Sequence, residues 1–323
     1  MRQYAFLLWF ILCAGTACAY DPLALPEGKL PPPTDRVLRD ESRARDIPLR
    51  VWAPLSSQPS PILLFSHGLG GSRENNPYLA RHWSARGYWV VFLQHPGSDE
   101  RIWKDAPPGQ RADRMRGAIS AENILHRVKD VPFVLDALLA SDELKGRIDP
   151  QRIGMAGHSF GAVTAQAIGG QRQGHLSFGD DRIRAALMMS PSPPRIGTPT
   201  EAFAKVSIPW MLMTGTRDDS AIANLRAADR LKVYPALPEG SFYELVLHGA
   251  THGAFNETPL YAGDDRNPAH HRIILALSTA FFDTHLRVDP KARAWLHGNS
   301  VQQVLHAKDR WQFKTPPGPG RVE

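Results

Sequence analysis

Between residues 47 and 249 short apolar runs recur at intervals, and longer stretches with helical spacing lie between most of them. The runs PILLFSHG (61–68), YWVVFLQH (88–95), RIGMAGH (152–158), RAALMMSP (184–191), PWMLMTGT (209–216) and FYELVLHG (242–249) are nearly continuous in apolar residues. Such runs suit strands covered on both faces. IPLRVWAP (47–54) alternates instead, and reads as a half-exposed edge strand. Helical patterns occupy residues 77–86, 119–139, a stretch starting at 159, 220–231 and 270–285. Strand alternating with helix predicts an α/β fold with a mainly parallel, doubly wound sheet flanked by helices. In such a sheet a ligand sits at the carboxyl ends of the strands.

One of those ends reads GMAGHSFGAV, a G-x-S-x-G pentapeptide centred on Ser159. The pentapeptide alone is weak, and its context decides. An apolar strand precedes it, and Ala162, Val163, Ala165, Ala167 and Ile168 open a helix after it. Strand, sharp turn and helix are what a nucleophile elbow requires. Gly157 and Gly161 permit the tight turn, and Ser159 then projects at the positive end of the helix. The bland alternative is a serine that merely caps a helix.

A serine hydroxyl needs a base, and the base needs an orienting carboxylate. In this arrangement they follow in the order Ser, Asp or Glu, His, each past a later strand. MLMTGTRDD offers Asp218 and LHGATHGAF offers His252, each three residues after a glycine at a strand end. Each has a neighbour to weigh. Asp219 fits better as a helix cap. His248 still belongs to its strand and fits a structural role. A developing oxyanion also needs aimed N–H donors. Phe160, the residue after the nucleophile, supplies one. Leu69, in the glycine-rich SHGLGGSRE after an early strand, supplies the second by position.

Together FSHGLGGSR, GHSFGA, TGTRDD and GATHGAF resemble the α/β-hydrolase superfamily. More narrowly they are similar to the platelet-activating-factor acetylhydrolase branch and to bacterial predicted dienelactone hydrolases. RDIPLRVWAP and QHPGSD also resemble that bacterial group, and the likeness covers about residues 40–285. The resemblance implies a serine esterase with a short-acyl preference and no cofactor. It carries over to Ser159, Asp218, His252, Leu69 and Phe160. Authentic dienelactone hydrolases use a cysteine nucleophile where this chain has Ser159, so that substrate does not transfer. No helix suited to a lipid surface stands out.

The remaining features bound the function. The 323 residues are 42% hydrophobic and 22% charged, which is globular composition. The net charge of +6 is scattered rather than clustered, so no nucleic-acid surface is expected. Residues 1–19 carry Arg2, an apolar stretch and Ala17-Cys18-Ala19, the pattern of a signal peptide cleaved before Tyr20. The expectation is export to the periplasm or beyond, without stable membrane insertion. Lipidation at Cys18 is the alternative, though Gly15 stands where a lipobox has leucine. Both cysteines, Cys13 and Cys18, lie in that segment, so the mature chain would hold no thiol nucleophile and no disulfide. The expected layout is an extended segment at 20–44, a catalytic domain at 45–298 and a mobile polar tail at 299–323. Residues 95–115 and 190–203 are candidate pocket walls, with Trp103 as a substrate contact. His270-His271 and Asp264-Asp265 lack the spacing of metal ligands, and no phosphate-binding loop follows a strand. The function expected is hydrolysis of small carboxylic esters through Ser159, His252 and Asp218. The rivals are an extracellular polyester or cutin hydrolase, and a catalytically silent hydrolase fold used for binding.

Overall fold

The computed structural model describes residues 19–257 and 267–316. The predicted leader, apart from Ala19, and the Asp264-Asp265 pair lie outside the described residues. The strands are β1 Thr34–Asp40, β2 Arg45–Trp52, β3 Ser60–Ser66, β4 Trp89–Leu93, β5 Ile148–His158, a small hairpin of β6 Arg172–Gln173 and β7 Leu176–Ser177, β8 Ile183–Met189, β9 Trp210–Arg217, β10 Phe242–Thr251 and β11 Arg310–Lys314. The α-helices are α1 Pro77–Ala85, α2 Arg101–Lys104, α3 Arg111–Gly117, α4 Ala121–Ala140, α5 Phe160–Ile168, α6 Pro199–Phe203, α7 Ala227–Arg230, α8 Pro268–Leu286 and α9 Pro290–His297. All strands but the hairpin form one nine-stranded sheet in the order β1-β2-β4-β3-β5-β8-β9-β10-β11. From β4 through β10 neighbours run parallel; β1, β2 and β11 are attached antiparallel at the two ends.

The apolar runs are continuous because the sheet has a core on each face. In β3, Leu63 and Phe65 pack with Trp83 of α1 and Phe281 and Phe282 of α8. Ile62 and Leu64, pointing the other way, pack with Val131 of α4 and Ala162 of α5. Successive strand residues face opposite sides, so both must be apolar when both sides are covered. Each large side chain buried in this way contributes about 1.5–3 kcal/mol.

Four expectations are corrected. β2 is not the edge, because β1 pairs with it from Thr34↔Val51 to Asp40↔Arg45. Residues 20–44 thus include a sheet strand, and Tyr20 docks through its hydroxyl on Asp283 at 2.8 Å. The polar stretch after residue 298 carries β11, which pairs with β10 from Phe242↔Lys314 to Val246↔Arg310. Both strands are charge-rich because they lie at sheet edges that meet water. Residues 220–231 are helical only over Ala227–Arg230. A Ser220–Leu225 bridge and a left-handed Asn224 (φ 51°) turn the chain before it.

Ending the chain after Asp309 uncovers the β10 edge and removes Trp311 and Phe313, whose rings lie 5.8 and 6.1 Å from that of Tyr243. A loss of about 2 kcal/mol would lower Tm by about 3 °C in a chain this size, with increased aggregation. Thermal melts and light scattering check this; a truncated protein matching the full chain would contradict it.

Candidate active site

The turn between β5 and α5 works only with glycine on both sides of Ser159. A Cβ on Gly157 would overlap the Gly161 carbonyl, and one on Gly161 would overlap the Ser66 carbonyl. The backbone therefore passes directly against the end of β3. Ser159 itself sits at φ 57°, ψ −116°, a conformation a non-glycine residue adopts only at a cost of about 1–3 kcal/mol. Its N–H is held by the Met189 carbonyl at 2.9 Å, and its side chain makes no capping bond to α5. The hydroxyl is left to face outward.

His252 follows β10, where the register against β9 shifts between Leu247 and Thr251. Gly249 supplies the left-handed residue within that irregularity (φ 74°). His252 Nε2 lies 2.8 Å from Ser159 Oγ. On the other side of the ring, Nδ1 lies 2.6 Å from Asp218 Oδ1. Asp218, just past β9, is fully buried, and its Oδ2 accepts from the Thr214 hydroxyl at 2.8 Å. This geometry sets the His252 tautomer: Nδ1–H donates to Asp218 and Nε2 accepts from Ser159.

The neighbours weighed above fall elsewhere. Asp219 is exposed and accepts from the Ala227 N–H, the first of α7, at 2.8 Å. His248 is exposed and stacks on His306 with ring centroids 6.1 Å apart. Phe160 opens α5, so its N–H is one of the helix's free donors. Leu69 lines the same cavity as Ser159 and His252. Trp103 is also on that wall, and its Nε1–H donates to the Gly70 carbonyl at 2.7 Å. The segment beyond β4 is thus no open loop: α2 and α3 press Trp103 and Met115 onto Gly70, where a Cβ would meet both.

The cavity holds about 1020 Å³, near the upper end of ordinary ligand pockets. Trp103, Met115, Ile119, Phe160 and Val163 form its apolar side, while Gln173, Arg195 and Asp219 bring polar groups to it. Among the described residues there is no group of three metal-ligating side chains, and no helix is long and apolar enough to cross a membrane.

Sequence reasoning missed three buried groups. Arg230 of α7 donates from Nε to the Asp218 carbonyl at 2.7 Å and lies 3.0 Å from its Oδ1. Its Nη1 donates to the Ser190 and Pro191 carbonyls, at 2.8 and 3.1 Å. It thereby ties the Asp218 turn to the end of β8. His158 packs beside His252, ring centroids 4.9 Å apart, and burial, followed by the charge of His252, drives its pKa well down. Arg127 lies beneath Phe160, its guanidinium carbon 4.5 Å from the ring centroid.

A sheet of this order, with a strained serine elbow and the His and Asp beyond later parallel strands, defines the α/β-hydrolase fold. No protein-family model matches the chain. It is 24% identical over 147 residues to the platelet-activating factor acetylhydrolase of Cavia porcellus, a match covering 36% of this chain and 34% of that protein. The match thus spans about a third of the relative's length. In structure the chain is similar to a ferulic acid esterase from Streptomyces cinnamoneus, with a TM-score of 0.61, 19% identity, and coverage of 90% of this chain and 98% of that one. Both bear out the α/β-hydrolase resemblance.

Burial pushes the Asp218 carboxyl up, but His252 and Arg230 outweigh it and hold its pKa below the ordinary value. Its contribution to stability is complete above the unfolded carboxylate pKa of about 3.9 and is lost as pH falls through the lower folded value. Asp218→Asn also leaves Arg230 buried without its anion. The variant should melt lower than wild type at pH 7 and lose less Tm between pH 5 and pH 3. Melting curves across that range check both signs.

Proposed function

We propose that this chain is an exported serine carboxylic-ester hydrolase that works through an acyl-enzyme. The observation that carries this reading is the continuous hydrogen-bonded chain from Ser159 through His252 to Asp218, opening on a large, largely apolar cavity. Ser159 Oγ attacks the ester carbonyl carbon while His252 Nε2 takes the hydroxyl proton. Asp218 stabilises the imidazolium that results. The carbonyl oxygen, now an oxyanion, is held by the N–H groups of Phe160 and Leu69. Collapse of the tetrahedral adduct expels the alcohol, which takes the proton from His252. Water then attacks the acyl-enzyme by the same steps in reverse order of groups, releasing the acid and restoring Ser159.

Export rests on the leader pattern in residues 1–19. The short-acyl preference rests on the family resemblance, in line with the acetylhydrolase name of the Cavia porcellus relative. The cavity exceeds what an acetyl or butyryl group fills, and the remaining volume accommodates the alcohol portion.

An active-serine phosphonate should label the protein at Ser159, and Ser159→Ala should abolish labelling and lower ester turnover by about four to six powers of ten. His252→Ala should fall comparably, while His248→Ala, altering only an exposed ring, should keep its rate within about twofold. An active Ser159→Ala protein, or the opposite ranking of the histidines, would overturn the assignment.

The acyl preference is measured by kcat/KM on soluble p-nitrophenyl esters from acetyl to dodecanoyl. It should peak at acetyl to butyryl and decline by octanoyl. A tunnel for long chains would instead gain about 0.8 kcal/mol with each added methylene.

A further inference from the structure

Beneath the site lies a second set of buried polar groups that the proposed chemistry does not use. Ser66 Oγ is 2.9 Å from His95 Nε2, and His95 Nδ1 is 2.9 Å from Asp130 Oδ2. The contacts copy those of Ser159, His252 and Asp218, but all three residues are fully buried and none lines the cavity. Burial first, then the charge of Arg127, pushes the His95 pKa down to about 4, so the ring is neutral. Arg43 and Arg45 close the far end on Asp130, at 2.8 and 2.9 Å.

The near end of this network is Arg127 of α4. Its Nη1 donates to the His67 carbonyl at 2.8 Å and to Ser66 Oγ at 3.2 Å. Its Nε donates to Ser98 Oγ at 2.9 Å. Ser98 in turn accepts the Gly70 N–H on its carbonyl at 2.9 Å. The His67 ring accepts the His95 N–H at Nε2, which leaves its proton on Nδ1, 2.6 Å from the Gly68 carbonyl. Ser66, His67 and Gly70 are therefore tied down from below, the first two by Arg127 directly and Gly70 through Ser98. The same guanidinium lies 4.5 Å from the centroid of the Phe160 ring.

We propose that Arg127 is a positioning residue that sets the spacing between the Leu69 and Phe160 amides, by gripping the 66–70 loop with its N–H groups while its guanidinium lies over the Phe160 ring. The inference rests on the proposed ester hydrolysis. Two donors stabilise an oxyanion only when both lie about 2.7–3.1 Å from where it forms, and sub-ångström errors are felt in rate. The planar fork of arginine meets three acceptors at fixed angles and its charge lies over a ring; a lysine ammonium keeps the charge but not that geometry.

The test compares wild type with Arg127→Lys, Ser66→Ala and the double variant, each confirmed folded by circular dichroism. Kinetics on p-nitrophenyl butyrate are paired with inhibition by an alkyl trifluoromethyl ketone, which forms a tetrahedral oxyanion adduct with an active serine. Arg127→Lys should lower kcat about ten- to a hundredfold with KM within about twofold, and weaken the ketone by the factor lost in kcat/KM. Ser66→Ala should act in the same direction more weakly. The double variant should be no worse than Arg127→Lys, because Ser66 acts through Arg127. Should Arg127→Lys not fold, Ser66→Ala alone decides, by a matched loss in kcat and ketone affinity. An unchanged kcat, a loss confined to KM, unchanged ketone affinity or multiplicative losses in the double variant would overturn the proposal. Wild type that is not labelled at Ser159 by the phosphonate overturns the ester-hydrolase reading and this inference with it. Labelled wild type with an insensitive Arg127 removes this inference alone.

Discussion

The contact on which the rest of the structure depends is between two stretches of backbone: the elbow at Gly161 against the carbonyl end of β3 at Ser66. Only a chain without side chains at positions 157 and 161 allows it. Once made, it brings the start of α5 beside the loop that follows β3, so Ser159, Phe160 and Leu69 face one cavity. The strain at Ser159 is sustained because both flanking elements are locked in the central sheet, where β5 lies between β3 and β8. A sheet edge could not hold such a turn, because edge strands have one neighbour and yield more easily.

Buried charge then fixes what the sheet alone leaves loose. Arg230 and Arg127 do similar work on opposite sides of the elbow. One holds the Asp218 turn to the end of β8; the other holds the 66–70 loop to α4. Both are almost wholly buried, which is rare for arginine and is tolerated because their donors meet backbone carbonyls and hydroxyls. Loops that carry ligand-facing atoms are commonly the softest parts of a fold. Here each is pinned from the solvent-free side, and the 66–70 loop is also held at the cavity wall by Trp103.

The sequence was most legible where one residue type has no substitute. The two glycines around Ser159 announced the elbow, and the glycines ahead of Asp218 and His252 fell two residues short of the ends of β9 and β10. The ordering of those motifs predicted which residues would meet; His248 was set apart by its place in a strand, and Asp219 by its fit as a helix cap. Arg127 and Arg230 were invisible, because a buried arginine and a solvated one look alike in a helix and only the tertiary fold supplies their acceptors. The outer strands were hidden for a related reason. TDRVLRD and RWQFK carry charges suited to an edge in water, so neither shows the apolar run that betrays a central strand. The stretch at 220–231 had helical spacing, but the left-handed turn at Asn224 broke it, and Asn is among the residues that permit that turn.

The bond from the Trp103 indole to the Gly70 carbonyl gives the cavity an unusual mechanical property. The wall and the loop are one part, so neither can be remodelled alone. Replacing Trp103 by a smaller residue would enlarge the cavity, yet it would also strip a half-enclosed carbonyl of its donor and let the loop relax toward the space created. A carbonyl left without a partner costs about 1–3 kcal/mol where water cannot reach it. Redesign for bulkier ligands is therefore easier at Met115 or Ile119, which line the same cavity and have no polar atom to withdraw.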